Sequence, residues 1–488
     1  NYSMYTPVTY PDHIEPLVQF VEETSPDQIV AETYEKLKSG TTVKEMLLAS
    51  ALAVIRSSDL PPGHHGGPLH PIAGLHAVRN LSERLPGEYA MMPVVQNVAL
   101  ANKHINHFSM GPYILAETKP CTWHEEVEPA VEEMQYFMDR GAYHAMDSYY
   151  LFFMQKETPF QVLDRLLQTA VPKNAADDHY LIFPTNTWRA LEYFGWEYAQ
   201  YLIRPAVRYV TRPPTAKAML AIDELIEEHG LLSRVLRYKT DKSETEAVTA
   251  LADTIATLDK FEESPAILAK ALADGLSLEG TVEALSVGGS ALFLRSKTGN
   301  PMDVHINTGI NIRRYLLSQP EIAMQTKLRA LFTWNTGPEV KSAQYKLAPV
   351  LTPEPETVAA LPQRSQDQLI GDMEALIDSL PVGERRPMTP IATWVASDEV
   401  KHAAVLAQQY ADNDYDPDML IEMLGKIACR DSFTEMHAFK HHQAVYEEFK
   451  ATRPSLRWKH LVSAVQAAAI SHGRLQEVYD NAREVIHF

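Results

Sequence analysis

Apolar residues recur at three- and four-residue steps along most of this chain, the spacing an amphipathic helix needs and a strand cannot use. SPDQIVAETYEKLKSG, TVKEMLLASALAVIRSS, TAKAMLAIDELIEEHG, ETEAVTALADTIATLDKF, DQLIGDMEALIDSL and the long WKHLVSAVQAAAISHGRLQEVYDNAREVI all carry it. Helix-start chemistry accompanies the pattern. Ser25 precedes Pro26 and Asp27, and Thr41 or Thr42 leads into Val43, Lys44 and Glu45 as a capping box does. Gly40 and Gly230 sit where a C-terminal glycine is expected. Only two short runs read as strands, HYLIFP at 179–184 and SALFLRS at 290–296, and neither has a hairpin partner. The expected fold is all-α: one large helical domain over 1–488, with long proline-rich connections at 347–363 and 379–390. Proline clusters at 212–215 and 347–363 mark where it could subdivide.

Composition narrows the function. The formal net charge is −19, which opposes binding to nucleic acid or an anionic membrane, where a basic footprint is expected. No run of about 18 apolar residues occurs, so no membrane span is expected. The N-terminus lacks the basic-then-apolar order of a signal peptide. Two cysteines, Cys121 and Cys429, exclude a disulfide framework and a zinc ribbon, and suit a reducing, cytoplasmic setting. The composition is compatible with a homo-oligomer. P-loop, dinucleotide-binding, nucleophile-elbow and haem-attachment motifs are all absent.

What remains is histidine. The chain has 19, and several lie in apolar, helix-like segments, where neutral imidazole is the commonest side-chain metal ligand. In GHHGGPLHPIAGLHAV, Pro71 suits a first helical turn, so His70 stands at a helix mouth and His76 lies further in. His64 and His65 read as loop residues. VALANKHINH places His104 and His107 on one face. In MDVHINTGINIRR, His305, Thr308 and Asn311 step by three and form a polar stripe that is costly to bury without partners. SDEVKHAAVLA pairs Glu399 with His402 as E-x-x-H, the spacing of di-iron carboxylate bundles, but no second copy stands on another apolar helix. EMHAFKHH sets His437 and His441 at i and i+4, with His442 beside them. The nearby Lys440, Glu447 and Glu448 make this stretch read as a solvated face. Aromatic blocks at 143–155 and 191–202 read as core, or as the wall of an apolar ligand pocket.

At these residues the chain resembles the questin oxidase-like family of all-helical oxygenases of aromatic polyketides. The resemblance is carried by His70-Pro71, by VALANKHI ending in His104, by HINTGINIRR with His305, Thr308 and Arg313, and by SDEVKH with Lys401 and His402. It implies a mononuclear non-haem Fe(II) bound by histidines, O2 as co-substrate and, in some members, a carboxylated lysine as a further ligand. Carried over, His70, His104, His305 and His402 become ligands and Lys401 the lysine, with His76, Glu399 and Thr308 as further candidates. The family places its lysine one turn after a histidine. Lys401 instead directly precedes His402, so Glu399 is an alternative ligand. The expected activity is that of a metal-dependent oxygenase of an apolar or aromatic small molecule. The alternatives are a di-iron carboxylate oxidase built on Glu399 and His402, and a non-catalytic helical ligand-binding protein with structural histidines.

Overall fold

The computed structural model describes residues 6–57, 59, 66–107, 114–174, 178–212, 217–296, 301–380, 398–431, 436–471 and 477–487. Among them the chain forms 25 α-helices, and strand pairing is limited to two isolated bridges, Pro7 with Ala116 and Ser296 with Leu347. The fold is all-α. Helices that build or brace the site are α1 (Val43–Arg56), α2 (His70–Ala73), α3 (Leu75–Arg84), α4 (Met92–Ile105), α5 (His179–Phe194), α6 (Thr245–Ala256), α7 (Leu278–Arg295), α8 (His305–Leu317), α9 (Asp398–Asp412), α10 (His437–Ala451) and α11 (Trp458–Ser471). None of the described helices is long and apolar enough to cross a membrane.

Local sequence accounts for many boundaries. Thr42 and Glu45 form the reciprocal capping box that opens α1. Pro71 occupies the first turn of α2, where its missing N–H costs nothing. Gly230 takes the left-handed conformation, φ 60°, that terminates the helix Lys217–Glu228 and that most other residues avoid. Ser25 starts a turn rather than a helix: its carbonyl accepts from the N–H of Gln28 and Ile29, and the helix begins at Ile29.

The two strand expectations are corrected. Residues 179–184 are the first turns of α5 and 290–295 the last of α7. Both are buried nearly all round, and a short, fully apolar run does not reveal its period. Of the proline-rich connections, 347–363 holds a short helix, Pro355–Ala359. Residues 213–215 and 381–390 lie outside the described residues, as do His64 and His65.

Close packing at the centre depends on two glycines. A Cβ on Gly288 would lie 2.5 Å from Ile255 of α6, and one on Gly289 would lie 2.7 Å from Ile310 of α8. Bare backbone at these positions lets α7 lie directly between α6 and α8. The apolar core forms two clusters. The larger contains Ile306, Ile310 and Ile312 of α8, and the smaller joins α9 and α11. Helices α7 and α10 contribute to both: Leu292 and Phe439 face the first, Phe293 and Phe449 the second. Thus α8 is buried along nearly its whole length, with α7 and α10 against it.

Glycine substitution tests this packing by chemical denaturation. Gly288→Ala should lose about 1–3 kcal/mol, because Ile255 cannot recede without disturbing α6. Gly371→Ala, in a helix position with nothing within 4 Å of the added Cβ, should instead gain about 0.5–1 kcal/mol.

Candidate metal centre

Four histidines from four helices meet in the interior. His70 opens α2, His179 opens α5, His305 opens α8 and His437 opens α10. All four are buried. Ring nitrogens of His70, His179 and His437 all lie within 4.8 Å of one another. His305 Nε2 is 3.1 Å from His437 Nε2, and its ring centroid is 5.4 Å from that of His179. Phe183, one turn along α5, stacks on His179 at 4.7 Å and meets His70 edge-on at 5.4 Å, closing an apolar wall.

Each histidine sits in the first turn of its helix, at an end that a neighbouring element fixes. Asp178 immediately precedes His179, and its carboxylate accepts from Arg313 of α8 at 3.1 Å, with both side chains fully buried. Gly309 makes room for that approach, since a Cβ there would stand 2.8 Å from Asp178 Oδ2. Arg314, the next residue, is paired with Glu448 of α10 at 2.9 Å, and Asn311 donates to the same carboxylate at 2.8 Å. Burial opposes ionisation of Glu448, but Arg314 overcomes it and holds the carboxyl below its usual range. Two buried ion pairs therefore set α5 and α10 against α8, and with them His179 and His437 against His305. Met436, just before His437, adopts a left-handed backbone, φ 66°, and packs on Gly74 at the end of α2. Strain of this kind costs on the order of 1–3 kcal/mol and persists where the surroundings over-determine it.

Burial and the neighbouring Lys440 ammonium push the His70 imidazole well below the usual histidine range. Lys440 Nζ donates to His70 Nδ1 at 3.0 Å. A buried, neutral imidazole is the protonation state a metal needs.

Beside the cluster a narrow cleft runs along α5, lined by His305, His437 and Lys440 at one end and by Asn186, Arg189 and His76 towards the other. Its interior volume is about 30 Å³, room for roughly two waters. At its mouth His76 Nε2 lies 2.8 Å from Glu447 Oε2 and 2.9 Å from Arg189 Nη2. Burial is the largest influence on Glu447 and acts to raise it. His76 and Arg189 outweigh it and hold the carboxyl down at about 2.

The sequence-predicted set is only partly assembled. His70 and His305 are in the cluster, and Thr308 lines the cleft. His104 is buried at the end of α4, close enough to act electrostatically on His70, but it is not one of the four histidines that meet. His76 stands at the cleft mouth, not among the four. On α9 the structure corrects the expectation. Glu399 and His402 are exposed. Lys401 donates to the carbonyls of Leu294, at 2.8 Å, and Ser296, capping the end of α7. The second correction concerns residues 437–442, expected on a solvated face. His437 is in the cluster, His441 stacks on Phe293, and His442 Nε2 is 2.9 Å from the Ile421 carbonyl oxygen. The charged neighbours do not mark a solvated face, because Glu447 and Glu448 are themselves paired inward. His179 and Lys440 were not proposed as site residues. Their only sequence signals were the Asp178-His179 step before an apolar run, and the three-residue spacing of His437 and Lys440. No family model, curated protein or solved structure matches this chain.

Burial holds His441 at about 4 against an ordinary 6.5. Its folded pKa is lowered, so the stability it contributes is present above pH 6.5 and is lost as pH falls from 6.5 towards 4. The loss reaches about 3 kcal/mol at most, at 1.36 kcal/mol per unit. His441→Phe should make the denaturation free energy fall less steeply across that window, leaving the part due to His442 and His460, which burial also depresses; an unchanged slope would contradict the assignment.

Proposed function

We propose that this protein is a metal-dependent oxygenase that holds one non-haem iron on His70, His179, His305 and His437 and acts on an apolar or aromatic small molecule. The observation that carries this reading is the convergence of four buried imidazoles from four separate helices. The donor set fits a metal. Two ligands at about 2.0–2.1 Å from one ion, at tetrahedral or octahedral angles, stand about 2.9–3.4 Å apart. His305 Nε2 and His437 Nε2 stand at 3.1 Å. Imidazole suits iron, as it suits zinc, copper and nickel; the choice of iron comes from the resemblance to questin oxidase-like proteins. Iron bound there would supply the redox chemistry that O2 requires.

The chain's own residues have separable tasks. Asp178 and Glu448, through Arg313 and Arg314, hold the ligand helices in register. Phe183 keeps water from one side of the ligand rings. The resemblance to questin oxidase-like proteins implies a lysine one turn after a histidine, and Lys440 has that relation to His437 and stands against His70. We therefore transfer the expected role of carboxylated ligand from Lys401 to Lys440. The cleft has room for O2 as it stands, whereas any organic molecule, from a small acid to an aromatic ring, requires its walls to part.

Metal analysis after anaerobic loading with Fe(II) tests the reading. One iron per chain is expected, falling to below a tenth in His437→Ala and unchanged in His402→Ala. Two irons per chain would favour a dinuclear centre. No retained metal, or full retention in His437→Ala, would leave the histidines as structural groups and overturn the proposal.

A further inference from the structure

The outer half of the cleft holds polar groups that the fold does not use. Asn186 and Arg189 are three residues apart on α5 and both line the cleft. Arg189 forms its polar contacts through Nη2 alone, to His76 and to Glu447 Oε1 at 3.2 Å, while its plane rests on Tyr315. Its Nε and Nη1 have no hydrogen-bond partner among the described residues. Asn186 is 7% exposed, and its Oδ1 is buried without a donor. A buried polar atom left in this state costs about 1–3 kcal/mol, so a partner from outside the chain is favoured. Charge points the same way. Arg189 is the cationic side chain of this half, and no aspartate or glutamate lines the cleft. Glu447 lies behind Arg189, with one oxygen on Arg189 and the other on His76 and Gln443. The apolar lining comes from Ala73 and Ala77, from Ile312 of α8 and from Ile182, one turn before Asn186 on α5.

We propose that this half of the cleft is a subsite for a hydroxy-carboxylate group, the carboxylate accepting from Arg189 Nη1 and the hydroxyl donating to Asn186 Oδ1. Arg189 supplies charge and direction, and Asn186 distinguishes a hydroxylated acid from a plain one, since the plain acid leaves Oδ1 unpaired. The group can belong to a free small acid or to the polar edge of a larger apolar molecule lying along the isoleucine and alanine wall. The inference gives a substrate class to the centre proposed above and rests on that reading for its catalytic meaning, but the binding itself does not require the metal.

Isothermal titration of the 488-residue chain as purified, with metal content measured on the same samples, tests the subsite. Acetate, glycolate and salicylate are the probes. Glycolate should bind more tightly than acetate. Arg189→Gln should weaken both by at least about tenfold, and Asn186→Leu should abolish the preference for glycolate while sparing acetate. Should Arg189→Gln fail to fold by circular dichroism, Arg189→Lys keeps the charge facing Glu447 and should still weaken glycolate, because one ammonium on a shorter stem cannot hold Glu447 and also supply the Nη1 donor. Tighter binding of salicylate than glycolate assigns the group to a larger molecule; glycolate binding without salicylate binding assigns it to a free acid. The subsite is overturned if neither glycolate nor salicylate binds saturably, if the Arg189 variant binds as the parent does, or if Asn186→Leu keeps the glycolate preference. Glycolate binding that follows this pattern in a protein that retains no metal would refute the iron centre and leave the subsite standing.

Discussion

Two adjacent arginines in the middle of α8 hold the interior together. Arg313 reaches Asp178 at the start of α5, and Arg314 reaches Glu448 on α10. Neighbouring residues on a helix diverge by about 100°, so consecutive arginines necessarily point to different partners. One short sequence thereby clamps two other helices. Buried pairs of this kind add little net stability over apolar replacements, yet breaking one by removing a single partner costs about 3–5 kcal/mol, because a lone buried charge remains. Their value here is register: the histidines at the starts of α5, α8 and α10 can meet only if those three helices keep their relative positions.

Helix starts suit this role. A side chain in a first turn belongs to a rigid element yet projects from its end, so several can converge without their helices colliding. Close approach behind them comes from Gly288, Gly289 and Gly309, each at a contact where a Cβ would meet another side chain at 2.5–2.8 Å. Helix α5 carries the arrangement outward. Its successive turns offer His179 to the cluster, Phe183 to the ring wall, and Asn186 and Arg189 to the cleft, so the inner and outer halves of the site share one rigid support.

Much of this was legible in the residue order, and the remainder was hidden for identifiable reasons. His70 followed by Pro71, and the polar stripe from His305 to Asn311, announced themselves because they break the apolar pattern at a helix start. His179 did not, because HYLIFP has no visible period and reads equally as a strand. His437 was masked by charged neighbours, which suggest solvent unless it is known that Glu447 and Glu448 turn inward to Arg189 and Arg314. SDEVKH looked like a ligand segment because carboxylate, lysine and histidine fall close together in sequence. In the fold its lysine caps α7, and Asp398, Glu399 and His402 face outward.

The sequence by itself determined the all-α class, the capping box of α1 and the helix starts that carry His70 and His305, because helical periodicity and cap chemistry act over a few neighbouring residues. Tertiary structure decided which histidines share a centre. Asp178 and Arg313 are separated by 135 residues and Arg314 and Glu448 by 134. No local pattern encodes pairings of that range. They follow from burial, which leaves each charged group only the partner that packing brings to it.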